Sequence, residues 1–223
     1  MQMCSAQFLI AFLFLVCGVL LSAAGCSSQV THIDGAGERK RETRELESYD
    51  AIKVEGIGLV TINYGMPARC VVVTEENLLE HYQTTVKNNE LTIGPTASIR
   101  SENKMHVVLD CDLLTRIEVG DAAEVEIRDF FGSELSVVAS GSASVTAEGQ
   151  VTHLDLTCTE TCEIEMFKLK AKTVDADLDG ACNANLYAKE TLNADVQGAS
   201  SICYDGKPTL NKIQEGVGSI RKR

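Results

Sequence analysis

The most regular feature of the chain is a spacing of apolar residues that repeats every 18–20 positions from about residue 115 to the C-terminus. Its anchors are separated by steps of 20, 19, 20, 18 and 18 residues: Val125, Val145, Ile164, Ala184, Ile202 and Ile220. A period this short cannot hold a pair of helices, but it fits one coil of a β-solenoid. The repeat therefore predicts stacked coils rather than a domain wrapped around a central chamber.

Within each copy, apolar and polar residues alternate on both sides of a corner. Before the corner, one inward row reads Leu135, Leu154, Val174, Leu192 and Leu210; after it, a row of small residues reads Ala123, Ala143, Cys162, Cys182 and Ser200. Alternation with a period of two is typical of a strand with one buried face. The corner itself is Gly141, Gly180, Gly198 or Gly216 in four copies and Asp121 or Glu160 in two. Glycine favours such a bend because it tolerates positive φ.

These rows predict an all-β fold: a single-stack parallel β-helix, or β-solenoid, with two short strands in each coil of 18–20 residues. A β-sandwich with regularly spaced strands is the alternative, but six copies that hold register in six rows favour the β-helix. The last copy places Lys212, Gln214 and Lys222 on inward rows, as expected for a terminal coil without a neighbour. The strand-like segments between residues 51 and 111 are expected to begin the same solenoid with irregular coils.

The N-terminus predicts a signal peptide of the lipoprotein type over residues 1–25. The apolar run from Phe8 to Leu21 is short for a membrane span and has the length of a signal-peptide core. The sequence Ala-Ala-Gly-Cys26 that follows resembles a lipobox, so Cys26 is the predicted lipidation site that anchors the protein in a bacterial membrane. Ala23 stands where that motif usually has Leu, and no Lys or Arg precedes the run. Secretion with cleavage after an Ala-x-Ala-like site is therefore the alternative.

Composition limits the remaining possibilities. Residues 26–45 are polar and charged and predict a tether, which leaves residues 46–223 for the β-helix domain. The chain has 20 Lys and Arg against 32 Asp and Glu, a net charge of −12. This balance excludes a general nucleic-acid binder, because binding to phosphates needs a basic surface. The absence of Trp and the 5% of aromatic residues suit a narrow solenoid interior.

Several segments together resemble a known family. They are the opening strand from Tyr49 to Gly56 (YDAIKVEG), the corner sequences SGSASV, DGACNANL, QGASSI and EGVGSI, and the closing segment from Cys203 to Pro208 (CYDGKP). The chain thereby resembles the putative auto-transporter adhesin head GIN domain family over residues 46–223. The resemblance implies a β-helical domain exported by bacteria. It supplies no established catalytic residues, so none is carried over.

The cysteines leave two readings open. Six follow the predicted anchor: Cys70, Cys111, Cys158, Cys162, Cys182 and Cys203. An even number in an exported protein permits disulfides. Cys162 and Cys182 share an inward row of adjacent coils, about 5 Å apart, which is within disulfide reach. Because the neighbours of these rows are Val, Ala and Ser, we expect Cys158, Cys162 and Cys182 to be core residues, and Cys203 to face outward.

No motif predicts a metal, a cofactor or a catalytic site. The pair Cys158-x-x-x-Cys162 has no second ligand pair at the spacing of a zinc finger. The four histidines, His32, His81, His106 and His153, are scattered along the chain. The sequence also lacks the G-x-S-x-G motif of many serine hydrolases.

One pattern does suggest an enzyme. Asp177 and Asp195 occupy the same outward row in adjacent coils, about 5 Å apart, with Glu118 farther along that row. Paired carboxylates at a fixed separation perform glycoside hydrolysis, so a carbohydrate-active β-helical enzyme is the alternative function. Such an enzyme needs loops that build a cleft, and 18-residue coils leave almost none. The preferred prediction is a non-catalytic cell-envelope module for adhesion or scaffolding, which binds a glycan or a protein through flat β-helix faces.

Overall fold

The computed structural model describes residues 32–223, so the predicted signal peptide and Cys26 lie outside the described residues. One 3-10 helix, Glu76–His81, accompanies strands that make up most of the described chain. The strands are β1 (Ile33–Asp34), β2 (Arg39–Arg44), β3 (Ala51–Val54), β4 (Ile57–Tyr64), β5 (Arg69–Glu75), β6 (Tyr82–Lys87), β7 (Glu90–Pro95), β8 (Ile99–Arg100), β9 (His106–Cys111), β10 (Arg116–Val119), β11 (Ala122–Ala139), β12 (Ser144–Glu160), β13 (Glu163–Gly180), β14 (Asn183–Val196), β15 (Ser201–Gly206), β16 (Thr209–Gln214) and β17 (Ser219–Lys222). The predicted all-β solenoid is confirmed, with about five turns of about 20 residues.

The parallel register agrees with the predicted rows. Each anchor pairs with the next through the whole series, from Val125 on β11 to Ile220 on β17. The anchors from Val125 to Ile202 are buried, and Ile220 in the terminal coil is partly buried against them. Removing apolar area from water contributes roughly 25 cal/mol per Å². Identical apolar positions in successive coils therefore hold the stack together and fix its register.

Every predicted corner residue has a positive φ. The glycines at the corner have φ of 75° at Gly141, 108° at Gly180, 67° at Gly198 and 96° at Gly216, and the two substitutes have 57° at Asp121 and 69° at Glu160. The room for a side chain is also limited at this corner. A Cβ on Gly141 would lie 2.6 Å from the carbonyl oxygen of Asp121 in the preceding coil. The bend and the close approach of coils therefore favour glycine for two separate reasons.

Each regular coil has three sides, where the sequence predicted two. A short segment, Phe130–Gly132, pairs with residues 149–151, and these pair with residues 169–171. We call this the third side. Its inward residues Phe130, Val151 and Leu169 are buried, and the Phe130 ring lies 4.9 Å from that of Tyr64. The register shifts between Ile127 and Phe130, which breaks the period-two alternation and hid this side from the pattern.

The first coils are not stacked in chain order. The coil formed by β3 and β4 pairs on one side with β10 and β11. On its other side it pairs with β7 and β9, which come later in the chain than β3 and β4. The segments between residues 51 and 111 thus belong to the same solenoid, as predicted. Their order in space is residues 90–111, then 51–64, then 116–128.

Antiparallel strands cover the N-terminal end of the stack. β5 pairs with β9, β2 pairs with β5, and β6 forms a hairpin with β7. The hairpin turns at Asn88 and Asn89, which have φ of 51° and 63°. These strands form a cap over the β7–β9 coil. β7 and β9 are therefore already paired on this side and cannot add a strand from another chain there.

The polar segment predicted as a tether, 26–45, contributes to this cap through its second half. β2 is held by backbone pairing and by Arg44, whose guanidinium donates hydrogen bonds to the carbonyl oxygens of Leu79, at 2.7 Å, and Tyr82, at 2.5 Å. These contacts lie between backbone and polar groups, so no apolar pattern marks them. The described domain therefore begins earlier than the predicted boundary at residue 46.

A buried carboxylate ties the cap to the neighbouring loop. Glu75, at the end of β5, accepts hydrogen bonds from the side chains of Thr74, Ser101 and Asn103. Burial alone would raise its pKa, but these hydrogen bonds stabilise the charged form and bring the pKa down to about 2. Glu75 is therefore ionised at neutral pH and holds the loop before β9 in place.

The C-terminal end has no such cap. β16 and β17 form the last coil, in which Leu210 and Ile220 still pack on the core while Ile213 and Val217 are exposed. Lys212 stands opposite Ala194 and Gln214 opposite Val196, on the rows that are inward elsewhere. The change from apolar to polar residues on these rows agrees with the predicted terminal coil.

Candidate functional surfaces

The predicted acidic pair is present on the first side of the coils. Asp177 on β13 and Asp195 on β14 are paired in register, and Thr157 and Val138 continue the row towards Glu118. Asp177 is exposed and Asp195 is half-buried. The structure therefore brings Asp177 and Asp195 together and leaves Glu118 three coils away.

A shallow depression of about 360 Å³ surrounds this pair. On its neighbouring row, the Asn193 amide donates to the Asp175 carboxylate, and the Asn211 amide donates to Asn193 at 2.8 Å. One oxygen of Asp195 is shielded from solvent and has no hydrogen-bond partner among residues 32–223. The surface presents amide and carboxylate groups at the coil spacing, which suits hydrogen bonding to hydroxyl groups of a polymer laid along the stack.

The six cysteines of the described domain are free, and all but Cys203 are buried. Cys158, Cys162 and Cys182 lie on the inward rows as predicted, and the Cys162 thiol donates to the Thr159 carbonyl oxygen at 3.2 Å. Burial raises the pKa of Cys162 to about 11, and an adjacent thiol, that of Cys182, adds to the effect. The Cys162 thiol is therefore protonated at neutral pH, and core packing is the role that the structure gives these three cysteines.

Within residues 32–223 the histidines do not form a cluster. His153 lies 3.5 Å from the carboxylate of Asp175 and 3.0 Å from the hydroxyl of Thr173. His106 lies 3.0 Å from the Thr61 hydroxyl on a different coil, and burial lowers its pKa. Within residues 32–223, no group of three or more His, Cys, Asp and Glu side chains is arranged to hold a metal ion. In the same range, no helix has the length and apolar content to cross a membrane.

A second depression, which the sequence did not predict, lies on the third side. It measures about 470 Å³ and is lined by three lysines, Lys170, Lys172 and Lys189, together with Phe131 and Tyr187. No acidic residue is among its lining residues. We call it the lysine groove. The available signal was the concentration of lysines between residues 168 and 189, but without the third side nothing indicated that they share a surface.

Comparison with known proteins decides the family. A family model described as "Putative auto-transporter adhesin, head GIN domain" matches residues 48–208. The chain belongs to this family. The resemblance predicted from the opening strand, the corners and the closing segment is thereby confirmed, and membership implies that this GIN-domain protein is exported. Among functionally curated proteins, none matches it.

Solved structures share the fold of this GIN-domain protein. A putative adhesin from Bacteroides fragilis has a TM-score of 0.70 at 22% identity, over 86% of this chain and 100% of the other. A putative lipid binding protein from Parabacteroides distasonis has a TM-score of 0.52 at 18% identity, over 86% and 100%. A putative adhesin from Parabacteroides merdae has a TM-score of 0.50 at 18% identity, over 86% and 99%. At these identities the likeness establishes the β-helical fold alone.

Proposed function

We propose that this protein is a non-catalytic module of the bacterial cell envelope, which binds an extended glycan or another protein along a flat side of its β-helix. The observation that carries the proposal is the lack of loops between the long strands. β11, β12, β13 and β14 follow one another with no more than four residues between them. Such coils provide regular outward rows but no walls for a cleft. A polymer with a repeating unit can contact several coils in the same way.

The carbohydrate-active enzyme remains the second candidate, because Asp177 and Asp195 are in register. A retaining glycosidase places its two carboxyl groups about 5–5.5 Å apart, close to the separation of adjacent strands. The open depression around the pair favours binding over hydrolysis, since catalysis depends on holding the scissile bond in a fixed position between the carboxyl groups.

We expect the full-length protein, purified in detergent, to bind glycans on an array without shortening them. Each glycan that binds is incubated with the protein, and products are separated by chromatography. The double variant Asp177→Asn/Asp195→Asn and the matched control Glu47→Gln/Glu80→Gln, two exposed residues outside the depression, are tested in parallel. Shorter products formed by the wild type and by the control, but absent with Asp177→Asn/Asp195→Asn, would establish the enzyme and overturn the binding module.

The module is proposed to be held at a bacterial membrane by a lipid on Cys26. The motif Ala-Ala-Gly-Cys26 supports this, because an acyl chain on that residue would anchor the domain by its N-terminus. Labelled palmitate is expected to enter the wild type and the control Cys203→Ala, and to be absent from Cys26→Ala. Equal labelling of all three proteins, or release of unlabelled wild type into the medium, would contradict the anchor.

A further inference from the structure

The lysine groove concentrates positive charge on an acidic protein. Lys170, Lys172 and Lys189 are all exposed at its surface, and the whole chain carries a net charge of −12. Among the ion pairs of residues 32–223, Lys172 approaches Glu190 at 3.5 Å, whereas Lys170 and Lys189 have no acidic partner. The groove therefore keeps uncompensated positive charge on a protein that is acidic as a whole.

Aromatic rings flank these charges. The ammonium group of Lys170 lies 3.8 Å from the centre of the Tyr187 ring, a cation–π contact that fixes the lysine side chain. Its nitrogen also donates to the carbonyl oxygen of Phe167 at 3.1 Å. Phe131 is 71% exposed, although it is one of the larger apolar side chains. An exposed aromatic ring beside ordered cations is typical of a surface that contacts a partner rather than water.

The groove runs across successive coils. Phe131 pairs with Gln150, and Gln150 pairs with Lys170, so these three side chains form one outward row at the spacing of parallel strands, about 4.8 Å. Tyr187 and Lys189 come from the following coil. The row places an aromatic, an amide and a cationic group at a regular interval along the stack, where an extended polymer can contact all three. A small ligand would need an enclosing pocket, which this open surface does not provide.

We infer that the lysine groove binds an anionic polysaccharide, with the lysines contacting its carboxylate or sulfate groups and Phe131 packing against a sugar ring. This inference rests on the proposed function and assigns it a side of the coil and a class of ligand. No acidic side chain lines the groove itself, so a single polysaccharide strand can follow it. A wider polyanion, such as a membrane surface or a nucleic-acid duplex, would also extend over Glu190, which lies beside Lys172, and over Glu148, and these carboxylates would repel its phosphates.

Binding is measured with the full-length protein in detergent by calorimetry. The probes are polygalacturonate with its methyl ester, and dextran sulfate with dextran, so that each charged polymer has a neutral counterpart. We expect at least one charged polymer to bind and both neutral polymers to fail, with affinity that falls as salt is added. Equal binding of a charged polymer and its neutral counterpart, or no binding of either charged polymer, would overturn the inference.

The triple variant Lys170→Gln/Lys172→Gln/Lys189→Gln is expected to bind the charged polymer about tenfold more weakly and to depend less on salt, because exposed ion pairs are individually weak. Its matched control is Lys40→Gln/Lys87→Gln/Lys104→Gln, which removes the same charge at the N-terminal cap and is expected to bind as the wild type does. If the two triple variants lost the same affinity for the charged polymer, the net charge of the protein would explain the effect. The lysine groove would then not be the binding site.

Phe131→Ala separates packing from charge. It is expected to weaken binding a few-fold and to leave the salt dependence unchanged, because it removes apolar contact and no charge. If the glycan array used for the proposed function finds only neutral glycans, and the lysine triple variant binds them normally, the anionic ligand is rejected while the binding module stands. Anionic lipid vesicles and oligonucleotides are tested as further probes. If the wild type binds one of these but no polysaccharide, and the lysine triple variant does not bind it, the assigned class of ligand is wrong.

Discussion

Val145→Asp is expected to prevent folding of the β-helix domain. Val145 is fully buried between Val125 and Ile164 in the anchor row, and neither neighbour can pair with a charge. An unpaired carboxylate in an apolar interior costs more than about 4 kcal/mol, which is comparable with the stability of a whole domain. Urea unfolding of the full-length protein, followed by circular dichroism in the far ultraviolet, measures the effect.

Thr146→Asp is the matched control for this variant. Thr146 is the next residue on β12, but it is exposed and stands between Glu126 and Glu165 of the adjacent coils. Like charges on facing strands cost only about 0.2–1 kcal/mol. The control is therefore expected to fold with slightly reduced stability. If the two variants unfolded at the same urea concentration, the anchor row would not be the core of the stack.

Gly141→Ala is expected to destabilise the domain much more than Gly65→Ala, although the two glycines have nearly the same backbone conformation. Their φ angles are 75° and 81°. An added Cβ at Gly141 would lie 2.6 Å from the Asp121 carbonyl oxygen, whereas at Gly65 it would meet nothing within 4 Å. Left-handed strain costs both variants about 1–2 kcal/mol, and only Gly141→Ala adds about 1–3 kcal/mol of overpacking.

The difference between these two glycine variants isolates the cost of separating two coils, because the conformational strain cancels. It is read from urea unfolding of each variant against the wild type. A difference near zero would mean that the corner requires glycine for its φ alone. Asp121 and Glu160, which have side chains and a positive φ at the same corner, would then be the rule rather than the exception. The close approach of the coils would not limit which side chain stands there.

The sequence predicted the regular part of the fold because the same physical demand recurs in every coil. Each anchor must fill the space above its predecessor, so residue types repeat at the period of the coil, from Val125 to Ile220. The corner recurs for the same reason. Even its departures were informative, since Asp121 and Glu160 occupy the glycine position and adopt positive φ there.

Other parts of the domain leave no such pattern. The third side follows a register shift after Ile127, and its outward residues Phe131, Gln150 and Lys170 share no chemical type. The strand β2 is held by backbone pairing and by Arg44, so its sequence is that of a polar linker. Val54 pairs with both Ile93 and Val119. This pairing depends on the order of the coils in space, and the period of the repeat does not reveal that order.

The two candidate surfaces also differed in whether the sequence could predict them. Asp177 and Asp195 were placed correctly, because both lie within the regular repeat and their register follows from it. The lysine groove was missed, because its members come from the third side, where strand register could not be predicted. Sequence periodicity thus located the acidic surface, which lies within the regular repeat, and overlooked the basic one.

The position of the first coil affects how a chain that is exported N-terminus first can assemble. Residues 51–64 lie between two coils that both follow them in the sequence, and the later of these ends near residue 128. The first coil to emerge therefore has both edges open until residues 90–111 follow, and one edge open until more than half of the chain has crossed the membrane. Progressive assembly, one coil after another as each emerges, is available only to the segment that follows, where every new coil finds its predecessor already outside.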